Sequence, residues 1–255
     1  MVRIRNIVIN LALRNMRRET GRHIPVQKLD LVSKYFRDYK FRSYKVLDIG
    51  GISGYRFLLE QIFPSATVYI LNADDNVKST PSVRASALEL PFVDEAWDVV
   101  TAFDIVEHLT LPDVFLSECH RVLKHNGFFI ISSPNLATLY NRIALPLGFM
   151  PYHYEPSRYY IGRISRRCID GGPRSQLNMG HISVFTYAGL KALLRVHGFQ
   201  TVHARGFSYT DSFYVELNPA KKREVKTYSL RRGLNAILPR SAREGVLIIA
   251  KKRAN

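Results

Sequence analysis

VLDIGGISGYRF, residues 46–57, is the stretch whose reading decides the fold. Val46, Leu47 and Ile49 read as a buried strand, with Asp48 near its end. Gly50, Gly51 and Gly54 make a turn that opens a helix. Glycine permits φ > 0 and has no Cβ, so backbone N–H groups there can approach a ligand closely. Strand, glycine loop and helix in succession is how open α/β sheets seat a nucleotide at the carboxyl end of their first strand.

Working outward, strands and helices alternate. ATVYIL (66–71) is a second strand, ending in Asn72-Ala73-Asp74-Asp75. A loop carrying ALELPF (87–92) leads to the buried run WDVVTAFD (97–104), then to IVEHL (105–109). A helix is predicted from Pro112 to about Leu123, with Val114, Phe115, Cys119, Val122 and Leu123 on its apolar face. Asn126-Gly127 is expected to end it, and FFIISSPN (128–135) is the next strand. Later come a helix from Gly189 to Val196, ended by His197-Gly198, a strand from Phe199 to Ala204 and a last strand, GVLIIA (245–250). Upstream, Val26, Leu29, Val32, Tyr35 and Phe36 predict a helix over about 25–39 that covers the sheet. Near-continuous apolar strands alternating with helices argue for a parallel sheet covered on both faces.

The charge is unevenly spread. Residues 1–45 carry a net +9, residues 46–136 a net −7 and residues 221–255 a net +9, within a total of +16. Basic ends on an acidic core suggest an anionic partner, such as a membrane surface, a phosphate-bearing substrate or RNA; the plainer reading is a solvated basic face. Ile4, Ile7, Val8 and Leu11 form a helical stripe flanked by Arg3, Arg14, Arg17 and Arg18. Such a helix either lies on an anionic membrane or packs its stripe on the core. Cys119 and Cys168 lack metal spacing, so neither a metal site nor a disulfide scaffold is expected, and a reducing cytoplasm is the simplest compartment. No run of 18 apolar residues exists to span a bilayer, and no signal-peptide pattern opens the sequence.

VLDIGGISG, ALELPFVDEAWDVVTAFDIVEHL, ECHRVLKHNGFFIISSPN and GHISVFTYAGLKALLRVHGF, in this order over about 46–200, resemble class I S-adenosylmethionine-dependent methyltransferases of the small-molecule type. The resemblance implies an α/β, Rossmann-like, doubly wound and mostly parallel seven-stranded sheet, with helices on both faces and the last strand antiparallel. It implies a basic helical extension (1–45), a methyltransferase core (46–220) with a substrate-side insertion (137–180), and a basic C-terminal segment (221–255) holding the last strand. It also implies S-adenosyl-L-methionine as cofactor. Asp48, Gly50, Gly51 and Gly54 would hold its methionine end, Asn72 or Asp74 the ribose, and Ser86, Ala87 and Leu88 the adenine. Phe103 and Asp104 would border the same crevice. Three positions depart from the family: Ile52 replaces the middle glycine, Asn72 the usual acidic residue and Ser86 the usual Asp. Asn and Ser still accept hydrogen bonds, without a carboxylate's charge-assisted strength, so weaker cofactor binding is expected.

Asp104, His108 and His181 are the candidate catalytic residues. Histidine titrates near neutrality and suits proton abstraction from a hydroxyl or amine. His108 either serves so or belongs to the start of a helix; His181 borders the insertion; Glu107 is expected to cap helix amides. The insertion is rich in Tyr and Arg (Tyr152, Tyr154, Tyr159, Tyr160, Arg158, Arg163), suited to a sugar, a ring or a phosphate. The expected acceptor is an oxygen, or a nitrogen, of a small molecule, glycan or lipid-linked precursor. An RNA methyltransferase and a non-catalytic binding protein of the same fold are the alternatives. Against nucleic acid, Asp104 is followed by IVEH rather than the Pro-Pro-aromatic motif of base-amine methylases.

Overall fold

The computed structural model describes residues 26–37, 39, 43–51, 53–73, 81–154, 180–209 and 238–253. The N-terminal stripe, Ile52, Asp74, residues 155–179 of the insertion and residues 210–237 lie outside the described residues.

Elements follow in the order α1 (Val26–Tyr35), β1 (Lys45–Ile49), α2 (Ser53–Ile62), β2 (Thr67–Asn72), β3 (Ser82–Arg84) and β4 (Trp97–Phe103). Then come α3 (Pro112–Val122), β5 (Leu123–Pro134), α4 (Leu139–Ala144), α5 (Tyr187–Val196), β6 (Phe199–Phe207) and β7 (Gly245–Lys252). The seven strands stand in the order β3-β2-β1-β4-β5-β7-β6. The first five pair in parallel, and β7 lies antiparallel between β5 and β6. This is the doubly wound sheet the sequence implies.

Alternation along the strands sends consecutive side chains to opposite faces. Val46, Val68 and Val99 meet Val32, Phe36, Leu59 and Phe63 of the α1/α2 layer. Leu47, Val100 and Phe129 meet Phe115, Leu116, Leu190 and Leu194 of the α3/α5 layer. Both faces are therefore buried, which is why the strands read as unbroken apolar runs. Phe129 is fully buried and stacks on Phe199 with ring centroids 4.9 Å apart.

Two boundaries differ from the sequence expectation. Asn126-Gly127 does not end α3. The helix stops at Val122 and β5 begins at once, Leu123 pairing with Trp97 before the register shifts to Phe128 opposite Val99. Asn126 has φ 60°, and a Cβ on Gly127 would crowd the Lys124 and Asp98 carbonyl oxygens. Residues tolerant of unusual backbone end helices and build strand bulges alike, so the pair was ambiguous. The edge strand β3 escaped notice because its three residues include no buried one. The end of α5 is as expected: Gly198 takes φ 79° at its close.

Replacing Phe129 by Ala should lower stability by about 3–5 kcal/mol, because the cavity opens in the middle of the sheet's more covered face. Urea unfolding followed by circular dichroism measures it; an unchanged midpoint would contradict the packing described.

Candidate functional site

The strand order reverses between β1 and β4, and the loops leaving the carboxyl ends of β1, β2 and β4 converge there. Gly50 leaves β1 with φ 70°, its N–H donating to the Leu71 carbonyl at 2.7 Å. Asn72, at the end of β2, donates from Nδ2 to the Gly51 carbonyl at 3.1 Å. The absent Cβ atoms serve the chain itself: one on Gly50 would collide with the Ile105 side chain, and one on Gly51 with Asp48 Oδ2. The sequence reading had assigned that room to a ligand.

Asp48 is fully buried beneath this turn. Its Oδ1 accepts from the Thr101 hydroxyl at 2.6 Å, while Oδ2 has no hydrogen-bond partner. Burial pushes its pKa up to about 7, against the Thr101 hydrogen bond and the Lys28 charge.

Asp104, just past β4, is held on three sides. Its φ of 54° turns the chain sharply. Lys28 Nζ lies 2.6 Å from Oδ2; the Ser132 and Tyr209 hydroxyls donate to Oδ1 at 2.7 and 3.2 Å. The Lys28 side chain is fully buried, with Nζ 5.1 Å from the Tyr55 ring centroid and 5.3 Å from that of Phe103. Burial alone would lower the ammonium's pKa; Asp104 outweighs it and holds the pKa above its ordinary value. For Asp104 burial acts upward, and Lys28, Ser132 and Tyr209 bring the pKa below the usual carboxylate range. Asp104 is thus a fixed charge and a poor proton acceptor, suited to holding a donor rather than to taking a proton.

Three residues on, a 3₁₀ turn (Val106–His108) carries Glu107 and His108. The Glu107 carbonyl accepts from the Ile182 and Ser183 amides at 2.8 and 3.0 Å, which docks residues 181–183 on this turn. The two histidines read as rivals become neighbours, their ring centroids 4.7 Å apart. His181 Nδ1 sits 3.0 Å from the His153 carbonyl oxygen. Glu107 does not cap the amides of a following helix: its carboxylate is wholly buried, no well-formed hydrogen bond reaches either oxygen, and its own amide and the Ser133 hydroxyl are the donors beside it. Burial, with the nearby Asp104 charge, pushes its pKa well above the ordinary value.

The remaining predicted positions are dispersed around this centre. Phe103 turns its ring into the core, stacked on Tyr55 at 5.2 Å, so only its backbone borders the crevice. Ser86 Oγ accepts from the Leu88 amide at 3.1 Å, and Ala87 and Leu88 pack against the core. Gly54 lies in the first turn of α2. A cleft of about 520 Å³ opens beside the histidine pair, between the start of the insertion and residues 182–185; Thr110, Leu145, Pro151, Tyr154 and Ser183 help line it.

Sequence reasoning missed Lys28, Ser132 and Tyr209. A signal for the first existed: Lys28 sits four residues before Val32, on the apolar stripe of α1, where a lysine needs a buried partner. It also expected no metal site, yet Glu107, His108 and His181 each offer a ligand atom within 4.8 Å of the others.

Residues 57–131 match the family model described as "Methyltransferase domain". A probable S-adenosylmethionine-dependent methyltransferase of Mycolicibacterium smegmatis is 43% identical over 117 residues, 46% of this chain and 43% of that protein. The chain thus spans less than half the length of this curated relative. Among solved structures, a chain in complex with the Haloferax volcanii Trm112 methyltransferase activator superposes with TM-score 0.56 at 14% identity, covering 94% of both chains. The 1,6-didemethyltoxoflavin-N1-methyltransferase of Burkholderia thailandensis, with S-adenosylhomocysteine bound, superposes with TM-score 0.52 at 15% identity over 89% of this chain and 79% of that one. The fold is that of class I S-adenosylmethionine-dependent methyltransferases, and residues 57–131 carry the sequence pattern of a methyltransferase domain.

Two substitutions test this geometry in cofactor-free protein. Asp48→Asn should stabilise the protein at pH 8. A carboxyl whose folded pKa is raised favours the fold below its unfolded value near 4, and that contribution is lost as pH rises through about 7. The gain should shrink toward pH 5, as thermal melts across pH will register. Lys28→Met should cost up to about 3 kcal/mol by leaving the Asp104 charge with only its Ser132 and Tyr209 hydrogen bonds, and Lys28→Met with Asp104→Asn should recover part of it. Additive losses in urea unfolding would show that the two groups do not interact.

Proposed function

We propose that this chain transfers a methyl group from S-adenosyl-L-methionine to an oxygen of a small molecule, glycan or lipid-linked precursor. The observation that carries the reading is the convergence, at the switch point of the sheet, of the glycine turn, Asn72, Asp104 and the paired histidines beside a cleft. The residues suit the cofactor. The unpartnered Asp48 Oδ2 beneath the glycine turn is an acceptor for a ligand amine. Asn72 and Asp74 are the candidates for the ribose, and Ser86, Ala87 and Leu88 for the adenine. Gly50, Gly51 and Gly54, with the backbone of Phe103, line the methionine end.

When bound, the cofactor supplies an electrophilic methyl carbon and a thioether leaving group. This chain's part is to align the acceptor and take charge of its proton. Asp104, held ionised by Lys28, orients a donor on cofactor or acceptor. Glu107, His108 and His181 stand where the acceptor's proton must leave. The 520 Å³ cleft falls within the range of about 300–1,000 Å³ typical of small-molecule sites. Thr110, Ser183 and Tyr154 supply its polar points. Among the described residues no helix is long and apolar enough to cross a membrane. A peripheral contact with an anionic surface through the basic ends belongs to this proposal and would bring a lipid-linked acceptor to the cleft.

Calorimetry with S-adenosyl-L-methionine should give one binding event per chain. Gly50→Val should abolish it, since a branched side chain at φ 70° must displace Ile105 and strain the turn. Unchanged affinity in that variant would remove Gly50 from the site. His181→Ala should lower turnover by about a hundredfold or more and leave cofactor affinity nearly intact. Normal turnover would dismiss His181 from acceptor activation.

A further inference from the structure

We propose that Glu107, His108 and His181 form a site for a divalent first-row transition-metal ion beside the acceptor cleft. The three side chains each present a ligand atom within 4.8 Å of the others. Bonds of about 2.0–2.2 Å to a shared ion would draw these atoms closer together than 4.8 Å. The donors come from two segments that do not drift: the 3₁₀ turn and residues 181–183, joined by the two hydrogen bonds to the Glu107 carbonyl.

Two further observations point to a ligand. The first is Glu107 itself, a fully buried carboxylate that no well-formed hydrogen bond satisfies, with only its own amide and the Ser133 hydroxyl beside it. Buried polar groups are nearly always partnered, and one left bare in a folded core calls for an ion or a proton. The second is the second sphere of His181. The His153 carbonyl can only accept, so Nδ1 at 3.0 Å carries the proton and Nε2 carries the ring's lone pair. A histidine that donates one nitrogen to a backbone carbonyl is oriented and made more basic for metal binding through the other.

The donor set selects the ion. Two imidazoles with one carboxylate suit the Mn²⁺ to Zn²⁺ series, whereas Mg²⁺ and Ca²⁺ prefer all-oxygen sites. Three protein ligands leave coordination positions open, the mark of a catalytic rather than a structural site. Ile182 and Ser183, which follow His181 directly, line the cleft, so a ligand of the proposed ion lies next in sequence to the cleft wall.

The role in catalysis rests on the methyl-transfer reading; the metal site does not. A hydroxyl oxygen bound to the ion becomes more acidic and releases its proton to water, as metal-bound water does near neutral pH. The alkoxide then forms the new O–C bond while the C–S bond breaks. The electron pair of that bond stays on sulfur, and the sulfonium becomes a thioether. The two histidines then serve as ligands rather than as the base, and acceptors bearing a hydroxyl are favoured over amines.

The test uses the full chain stripped with EDTA. Co²⁺ titration followed by visible absorption, and Zn²⁺ titration by calorimetry, should show one ion per chain. His108→Ala, His181→Ala and Glu107→Gln should each weaken that binding about tenfold or more, with circular dichroism confirming the fold. Should a variant fail to fold, proton NMR of the Co²⁺ form of the unaltered chain decides, through paramagnetically shifted imidazole signals from two histidines. Absence of a one-per-chain ion, variants that bind as tightly as the parent, or no shifted histidine signals would each overturn the site. Parallel titration with S-adenosyl-L-methionine separates the two proposals. Cofactor binding without metal removes the metal site alone, and metal binding without cofactor removes the methyl-transfer reading alone.

Discussion

The Lys28 ammonium against the Asp104 carboxylate is the contact on which the rest depends. The fully buried Lys28 charge could not stay in this place alone, since an unpaired ion in a protein interior costs on the order of several kcal/mol. Lys28 comes from the first described helix, Asp104 from the end of a central strand, Ser132 from the neighbouring strand and Tyr209 from beyond the sheet's edge strand. One ion pair therefore ties four separate stretches of chain to the point where the sheet opens. It also maintains a left-handed non-glycine residue, a conformation that persists only when its surroundings over-determine it.

That sharp turn has a chemical effect downstream. The three carboxyls Asp48, Asp104 and Glu107 lie close together in the fold yet are driven apart in character. Asp104 gains a cation and two hydroxyl donors and stays ionised; Asp48 has the Thr101 hydroxyl and Glu107 at most that of Ser133, and burial disfavours charge on both. Environments that separate like groups in this way are typical of functional clefts.

Much of the architecture was legible in the chain. Apolar strands alternating with helices and the glycines after the first of them were enough to set the layer arrangement; the antiparallel last strand followed only from the family resemblance. The errors have physical causes. Asn126-Gly127 supports a bulge as readily as a helix end, and β3 buries no residue that could announce it. The site was half legible: Asp104, His108 and His181 were chosen, but as independent actors. Their grouping depends on two backbone hydrogen bonds from residues 182 and 183 to Glu107, which no side-chain pattern encodes. Lys28 was overlooked because a lysine on a helix is ordinarily a solvated one, and only the three-dimensional placement of Asp104 makes it otherwise.

The insertion of β7 between β5 and β6 sets an order on biosynthesis. While the ribosome is still delivering residues up to 244, β5 presents a bare rim of unpaired amides and carbonyls, and β6 has no neighbour to join. Nascent domains with an open rim of this kind are prone to stick to one another. Only when Gly245–Lys252 slides into the slot does the sheet close, so the last of the described strands in sequence sits inside the sheet rather than at its rim.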